Sequence, residues 1–371
     1  LEGPLSDFET TPFAIVMGTI SQDPLMRRLC EQRAQNMARD WEQWQHWKPR
    51  LFKDTEISDE DLRSYSLSLV GGPEENLVTK RLIEKLPVRI APDRITIGPP
   101  GSSGPDEAVG AFSVHDGVVR MIYPHPLNRE RYVQLLAATS AAGMSFADRL
   151  PDWADFSISE GRLANPEGGR PEEKVLVAVG RFDHAWRLRG EYMTLGDPEV
   201  RAQLPVRKAP KHVSAAVPGD HLMLSELIPA QTEGAFSLMV RDLNWQGEPI
   251  ALGGKTYTSG ICVNTWDGAN GAEFDLSGGG WKRLRGLVGI ELWPEDKVGQ
   301  QQKDNTKVVF VVKGDKKELF RSQPFVWGST TPEALDVDVS EVRVLRLEVL
   351  TTGSSFDAVY SADWVELRLE R

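Results

Sequence analysis

The sequence predicts a multidomain chain, with an α/β three-layer domain on a mostly parallel sheet followed by an all-β sandwich. Three observations carry this prediction. At 371 residues the chain exceeds what one hydrophobic core usually serves. Apolar strand patterns alternate with amphipathic helical ones through the first half, which implies a parallel sheet covered on both faces. Past residue 219 the helical patterns nearly vanish, and apolar/polar alternation broken by Gly, Ser and Asp turns replaces them.

The elements follow in order. The run FAIVMGT (13–19) ends in glycine and reads as a buried parallel strand. Across 21–47, Leu25, Leu29, Ala34, Met37, Trp41 and Trp44 recur at helical spacing. Ser58 is a candidate N-cap for a short helix whose first turn holds Asp59, Glu60 and Asp61. YSLSLVGG (65–72) is a second strand, ENLVTKRLIEKL (75–86) a helix, and VRIAP, RITIG and GAFSVHDGVVRMIYP (110–124) further strands, with 98–108 a loop. A helix is expected over RERYVQLLAATSAAGM, and KVLVAVGRFDHAW (174–186) supplies one more apolar strand. The Pro-rich, basic stretch 203–219 reads as a linker. The expected domains are therefore 1–202 and 220–371.

Composition bounds the partners. An apolar fraction of 40% with 26% charged residues is that of an ordinary globular protein. No apolar run approaches the length of a membrane span. A formal net charge of −11 argues against nucleic acid or an anionic membrane as partner. The 2 cysteines, Cys30 and Cys262, fall in different predicted domains and read as buried thiols, not a disulfide framework.

Catalytic motifs are thin. G-x-S-x-G, the P-loop and the dinucleotide fingerprint are absent, and LVGGPEEN is a glycine turn between strand and helix. The 6 histidines show no metal-ligand spacing. Asp54, Glu56, Asp59, Glu60 and Asp61 are sequential and read as a solvated turn. The richest polar stretch of the first half is YPHPLNRER (123–131), where His125, Asn128, Arg129 and Arg131 crowd a proline-shaped loop. It is either a ligand loop at the sheet's crevice or a helix entry whose arginines cap backbone carbonyls.

In the second half, HLMLSELIPA (221–230), GGKTYTSGI (253–261), FDLSGGGWKRLRGLVGIE (274–291), VVFVVKGDKKELFRS (308–322), LDVDVSEVRVLRLEVL (335–350) and ADWVELRL (362–369) occur in one order and spacing. In these features 220–371 resembles the NPCBM module, a galactose-binding-like jelly roll attached to carbohydrate-active enzymes. The resemblance implies loops at one end of the sandwich that bind a terminal, often galactose-type, sugar. Tyr257, Asn264 and Trp266 lie on or beside such a loop and supply an apolar face and polar partners. Many relatives carry histidine where this chain has Asn264, which alters the geometry. Trp245, Trp281 and Trp364 read as core. Folds of this type often hold a structural calcium, although no EF-hand-like spacing is present; no other cofactor is implied.

The segments PFAIVMGT, SYSLSLVGGPEENLVTKRLIEKLPV and YPHPLNRERYV resemble a region that follows an α/β-hydrolase domain of the prolyl oligopeptidase or esterase type in multidomain bacterial proteins. The resemblance implies a non-catalytic tail of a larger hydrolase, held on a glycan by the sandwich, with the upstream catalytic domain as its covalent partner. Glycan binding would favour secretion or the periplasm. Two rivals remain: the α/β domain is itself an esterase or glycosidase, or the sandwich is an oligomerisation module.

Overall fold

The computed structural model describes residues 5–101, 110–147, 153–163, 172–264, 270–292, 295–351 and 359–371. The chain divides into two compact units, Leu1–Val206 and Arg207–Arg371.

In the first unit the strands are β1 (Phe13–Met17), β2 (Arg50–Lys53), β3 (Ser66–Val70), β4 (Val88–Ala91), β5 (Arg94–Ile97), β6 (Gly110–Ser113), β7 (Gly117–His125), β8 (Asn128–Ala138), β9 (Phe156–Glu160), β10 (Leu176–Phe182) and β11 (Leu188–Leu195). The helices that matter are α1 (Pro24–Gln45), α2 (Asp59–Ser64), α3 (Leu77–Leu82) and α4 (Ala141–Ser145). Eight strands form one sheet in the order β11-β10-β9-β7-β8-β3-β1-β2, while β4, β5 and β6 form a small antiparallel sheet.

Each face of the large sheet has its own cover. Phe13 and Ile15 point to the side of α1, where the Phe13 and Trp41 rings meet edge to face at 4.9 Å. Ala14, Val16, Leu67, Leu69, Val133 and Leu135 point the other way, onto Val78 and Leu82 of α3 and Ile95 and Ile97 of the small sheet. The Asp23 carboxylate caps α1 by accepting from the Leu25 N–H, with Pro24 at the first helical position. Ser58 caps α2 as expected.

Two expectations fail here. The sheet is mixed: β2, β1, β3 and β8 run parallel, but β8-β7, β7-β9, β9-β10 and β10-β11 are antiparallel. The helix expected over RERYVQLLAATSAAGM is instead β8, with only the short α4 behind it. The reason is burial on both faces. Tyr132–Ala138 are all buried between β3 and β7, and a strand with two apolar faces shows a continuous run that periodicity cannot tell from a helix. The β7-β8 connection is a hairpin in which His125 pairs with Asn128.

The second unit pairs its named strands antiparallel, with one isolated parallel bridge between His212 and Leu227. Its strands are β12 (His221–Met223), β13 (Gln231–Glu233), β14 (Val240–Arg241), β15 (Ile250–Leu252), β16 (Lys255–Tyr257), β17 (Gly260–Val263), β18 (Gly271–Asp275), β19 (Arg283–Leu292), β20 (Lys307–Gly314), β21 (Lys317–Arg321), β22 (Phe325–Val326), β23 (Glu333–Asp338), β24 (Val344–Thr351) and β25 (Val359–Glu370). One sheet runs β14-β17-β25-β19-β23, the other β13-β18-β24-β20-β21. Alternate residues fill the space between them, Ile261, Val263, Val288 and Trp364 from the first and Phe274, Phe310, Val312 and Leu347 from the second. Trp364, fully buried, meets Phe310 edge to face at 5.0 Å. The stretch expected as a linker straddles the division between units. Its later part packs into the sandwich, with Ala215 fully buried and its carbonyl accepting the Trp281 indole N–H at 3.0 Å.

Candidate functional site

Register gathers several strand ends at one end of the sandwich. Val263 ends β17 beside Ala362, Glu233 pairs with Gly271, Leu292 with Val359, and Val308 with Thr351. These strand ends, and segment 234–239 after β13, therefore lie at the same end. Asn270, 2% exposed, anchors two of them: its Oδ1 accepts from Ala235 N at 2.8 Å and its backbone carbonyl from Val349 N. Asn264 is half-buried, and its Oδ1 is enclosed with no hydrogen-bond partner among the described residues. Trp266 lies outside the described residues.

Trp327 lies at this end as well. It follows β22, whose Val326 pairs with Lys307 at the start of β20. The ring is half-buried, with the Lys303 ammonium 5.2 Å from its centroid and Lys303 also 2.9 Å from Glu295. An aromatic face beside a cation and a carboxylate is a chemistry that hydroxyl-rich rings can use. The signal was a lone tryptophan after a two-residue strand, which no periodicity marks.

Tyr257 does not join them. It lies beyond the opposite end of β17, is 8% exposed, and packs with Val240, Ile250, Leu252, Cys262 and Val365 on the outer face of the first sheet. The expected sugar platform at this residue is thus a packing contact: the hairpin of β15 and β16 folds the ring inward to cover an apolar sheet face. Trp281 and Trp364 are core, as read, and Trp245 packs beside Tyr257.

Near Tyr257 the same outer face carries a polar cluster. Ser361 Oγ lies 2.9 Å from Asp363 Oδ2 and 3.2 Å from Glu291 Oε2, while Glu291 Oε1 accepts from Ala251 N. Asp363 is fully buried and its Oδ1 has no partner. Burial pushes both carboxyls above their usual values, helped by the Glu248 charge at Glu291 and by the Glu291 charge at Asp363. Burial likewise pushes the Cys262 thiol up. Among the described residues no three or more His, Cys, Asp or Glu side chains converge to hold a metal.

In the first unit the hairpin turn of β7 and β8 divides the expected ligand loop by function. Asn128 Nδ2 donates to Arg63 O at 2.7 Å and Arg131 Nε to Ser64 O at 2.9 Å, so both tie down the end of α2. His125 is 1% exposed, its Nδ1 accepts from Leu127 N, and burial lowers its pKa to about 4. His125 and Arg129 do border a cavity of about 540 Å³, with Lys85, Tyr123, His184 and Trp186. The Asp183 carboxylate builds that wall by accepting from Ala185 N and Arg187 N and pairing with Arg187 and Arg189. These bonds, led by the Arg187 amide, hold Asp183 well below the usual carboxylate range.

Asp54, expected in a solvated turn, is buried at 3% exposure. It accepts from Thr19 Oγ1 and from Leu77 N at the start of α3, joining three loops. Glu56, Asp59, Glu60 and Asp61 stay on the exposed or half-exposed surface as read.

Comparison with known proteins follows from these features. Residues 220–370 match the model of the NPCBM/NEW2 domain. A search of curated proteins finds no match. Among solved structures, the chain is similar to a CBM51 from a Clostridium perfringens GH95 in complex with methyl-galactose, at 21% identity, 40% of this chain, 99% of that one and a TM-score of 0.33. It is also similar to the CBM51-2 and INT domains of Clostridium perfringens ZmpB, at 20% identity, 41% of this chain, 31% of that one and a TM-score of 0.33. The tandem CBM51 modules of a family 98 glycoside hydrolase from Streptococcus pneumoniae SP3-BS71 match at 12% identity, over 69% of this chain and 72% of that one, with a TM-score of 0.35. The segment from residue 220 to 370 is an NPCBM/NEW2 domain.

Proposed function

We propose that the sandwich binds carbohydrate through the loop end that carries Asn264 and Trp327, and that it holds a larger hydrolase on a glycan. The observation that carries this reading is the Asn264 side-chain carbonyl, enclosed at that end of an NPCBM/NEW2 domain with no partner among the described residues. An unpaired buried acceptor costs stability unless a ligand hydroxyl satisfies it. Trp327 supplies the apolar face such a ring needs, and Trp266 belongs to the same loop end by sequence. A terminal galactose-type sugar is the ligand class to test first, since one structural relative holds methyl-galactose. In this reading the first unit is an accessory α/β domain, the catalytic domain lies upstream, and a glycan target places the protein outside the cytoplasm.

Affinity is modest in this scheme, because one sugar offers few apolar atoms and many solvated hydroxyls. Calorimetry of the chain against galactose, N-acetylgalactosamine and β-galactosides tests it, with Asn264→Ala, Trp327→Ala and Trp266→Ala as variants. Saturable binding that falls in the Asn264 and Trp327 variants is expected. Binding of every sugar class unchanged by these variants would move the site elsewhere, and no binding at all would leave a docking module. Hydrolysis of simple esters or glycosides by the chain would overturn the non-catalytic reading.

A further inference from the structure

The face of the large sheet beneath α1 has a polar floor that packing alone does not call for. Ser68 of β3 and Gln134 of β8 pair side by side in register, 1% and 4% exposed. Ser66 and Ser157 share this face and are fully buried. In the middle of a sheet covered by a helix, such positions are ordinarily apolar. Here they lie under a cavity of about 340 Å³, whose walls are Phe8, Phe13, Ile15, Met37 and Trp41. Glu9, Asp40 and Gln45, all exposed, stand at its rim, and Arg120 completes the lining. The volume lies at the small end of the range for ligand pockets, about 300–1,000 Å³.

The hydrogen bonds orient the floor. Ser68 Oγ donates to Gln134 Oε1 at 3.0 Å, and Ser68 makes no other side-chain bond. In that arrangement Oε1 is the acceptor and the amide NH₂ is the other end of the side chain. That NH₂ has no partner among the described residues, although Gln134 is almost wholly buried. The Trp41 indole N–H, on the opposing wall, is also buried without a partner. Gln134 and Trp41 thus line a cavity walled mainly by aromatic and aliphatic side chains, with Glu9 and Asp40 at its mouth and Arg120 in its lining.

We propose that this cavity binds a small ring compound that presents an oxygen acceptor, a carboxylate or a carbonyl, to the Gln134 amide and the Trp41 indole. Acceptor chemistry follows from the donors at the floor and a ring body from the Phe8, Phe13 and Trp41 walls. A free monosaccharide fits poorly, because its hydroxyls would meet apolar walls on several sides. The inference concerns the first unit and stands apart from sugar binding by the sandwich.

The test uses the full chain with benzoate, acetophenone, benzyl alcohol and methyl β-galactoside as probes, read by ligand-observed NMR and calorimetry. Benzoate or acetophenone is expected to bind saturably, and the galactoside not to compete. Gln134→Leu, which removes both donors, should weaken binding at least ~5-fold, about 1 kcal/mol, and Trp41→Phe should weaken it too. Gln134→Glu retains the acceptor that Ser68 needs. Because it removes the NH₂ and adds a negative charge, it should weaken acetophenone binding and abolish benzoate binding. Far-UV circular dichroism and melting checks that each variant is folded. Binding of no ring probe at millimolar concentration would overturn the proposal, as would binding that all three folded variants leave unchanged.

Discussion

Replacing Asp363 by asparagine is expected to stabilise the sandwich at neutral pH and to change little in acid. Ser361 brings one hydroxyl proton to two carboxyls, Asp363 Oδ2 at 2.9 Å and Glu291 Oε2 at 3.2 Å. One proton cannot serve both acceptors at full strength, so a protonated carboxyl is the arrangement that satisfies the set. Burial and the neighbouring Glu291 charge raise the Asp363 pKa on folding. A carboxyl raised in this way binds its proton more tightly in the folded chain than in the unfolded one. Its contribution is fully present below the unfolded value, about pH 4, and is lost as pH rises through the folded value. Once ionised, Asp363 keeps an Oδ1 without a donor in a fully buried setting, a penalty of about 1–3 kcal/mol. Asparagine has the same shape and carries no charge. The gain should therefore be roughly 1–3 kcal/mol at pH 8, or a few degrees of melting temperature for a unit of this size, and should vanish near pH 4.5. Calorimetric melts of both proteins from pH 4.5 to 8.5 measure it. A variant less stable than the parent at pH 8 would refute the reasoning. So would a parent stabilised by added calcium when the variant is not, because the two carboxylates would then serve ionised as cation ligands.

His125 should behave in the opposite sense: burial lowers its pKa to about 4, so the unfolded chain takes up its proton first as pH falls from 6.5. The first unit should lose roughly 2 kcal/mol on that account between pH 6.5 and 4, and His125→Gln should flatten the acid side of its melting profile. Trp364→Ala removes a fully buried ring that meets Phe310 and should cost about 3–5 kcal/mol by urea unfolding. Arg346 reaches Glu233, Glu273 and Glu348 on three adjacent strands, and the half-buried network should lose roughly 1–3 kcal/mol in Arg346→Gln, with weaker dependence on salt than an exposed pair. Tyr257→Phe should leave both stability and any sugar affinity nearly unchanged, whereas Tyr257→Ala should lower stability by ~2–4 kcal/mol and leave affinity intact.

What could be read from the sequence follows the number of faces each element buries. The strands of the sandwich have one face in the core and one in water or under a surface hairpin, so Lys307–Gly314 and Glu333–Asp338 show their period of two directly. α1 likewise buries one stripe, and its Met37 and Trp41 lie where the spacing puts them. β8 buries both faces and gave a pattern shared with helices, and with it went the antiparallel half of the first sheet. The hairpin at 125–128 then changed the meaning of its neighbours, since Asn128 and Arg131 serve α2 and not a crevice.

Sites were harder to read for a related reason. Alternating Ser and Leu in SYSLSLV looks like a strand with a solvated face, yet Ser66 and Ser68 are as buried as Leu67 and Leu69. Serine in that pattern is silent about whether it meets water at the surface or polar groups under a helix. Only the register that sets Ser68 beside Gln134, residues 66 apart in sequence, turns two ordinary polar side chains into a floor. The same holds for Glu291, which register sets beside Ser361 of another strand, two residues before Asp363 on the same face. Tyr257 is the converse case. Its glycine-rich context suggested an outward loop, but GG at 253–254, both glycines with positive φ, makes the tight turn that folds β15 and β16 inward.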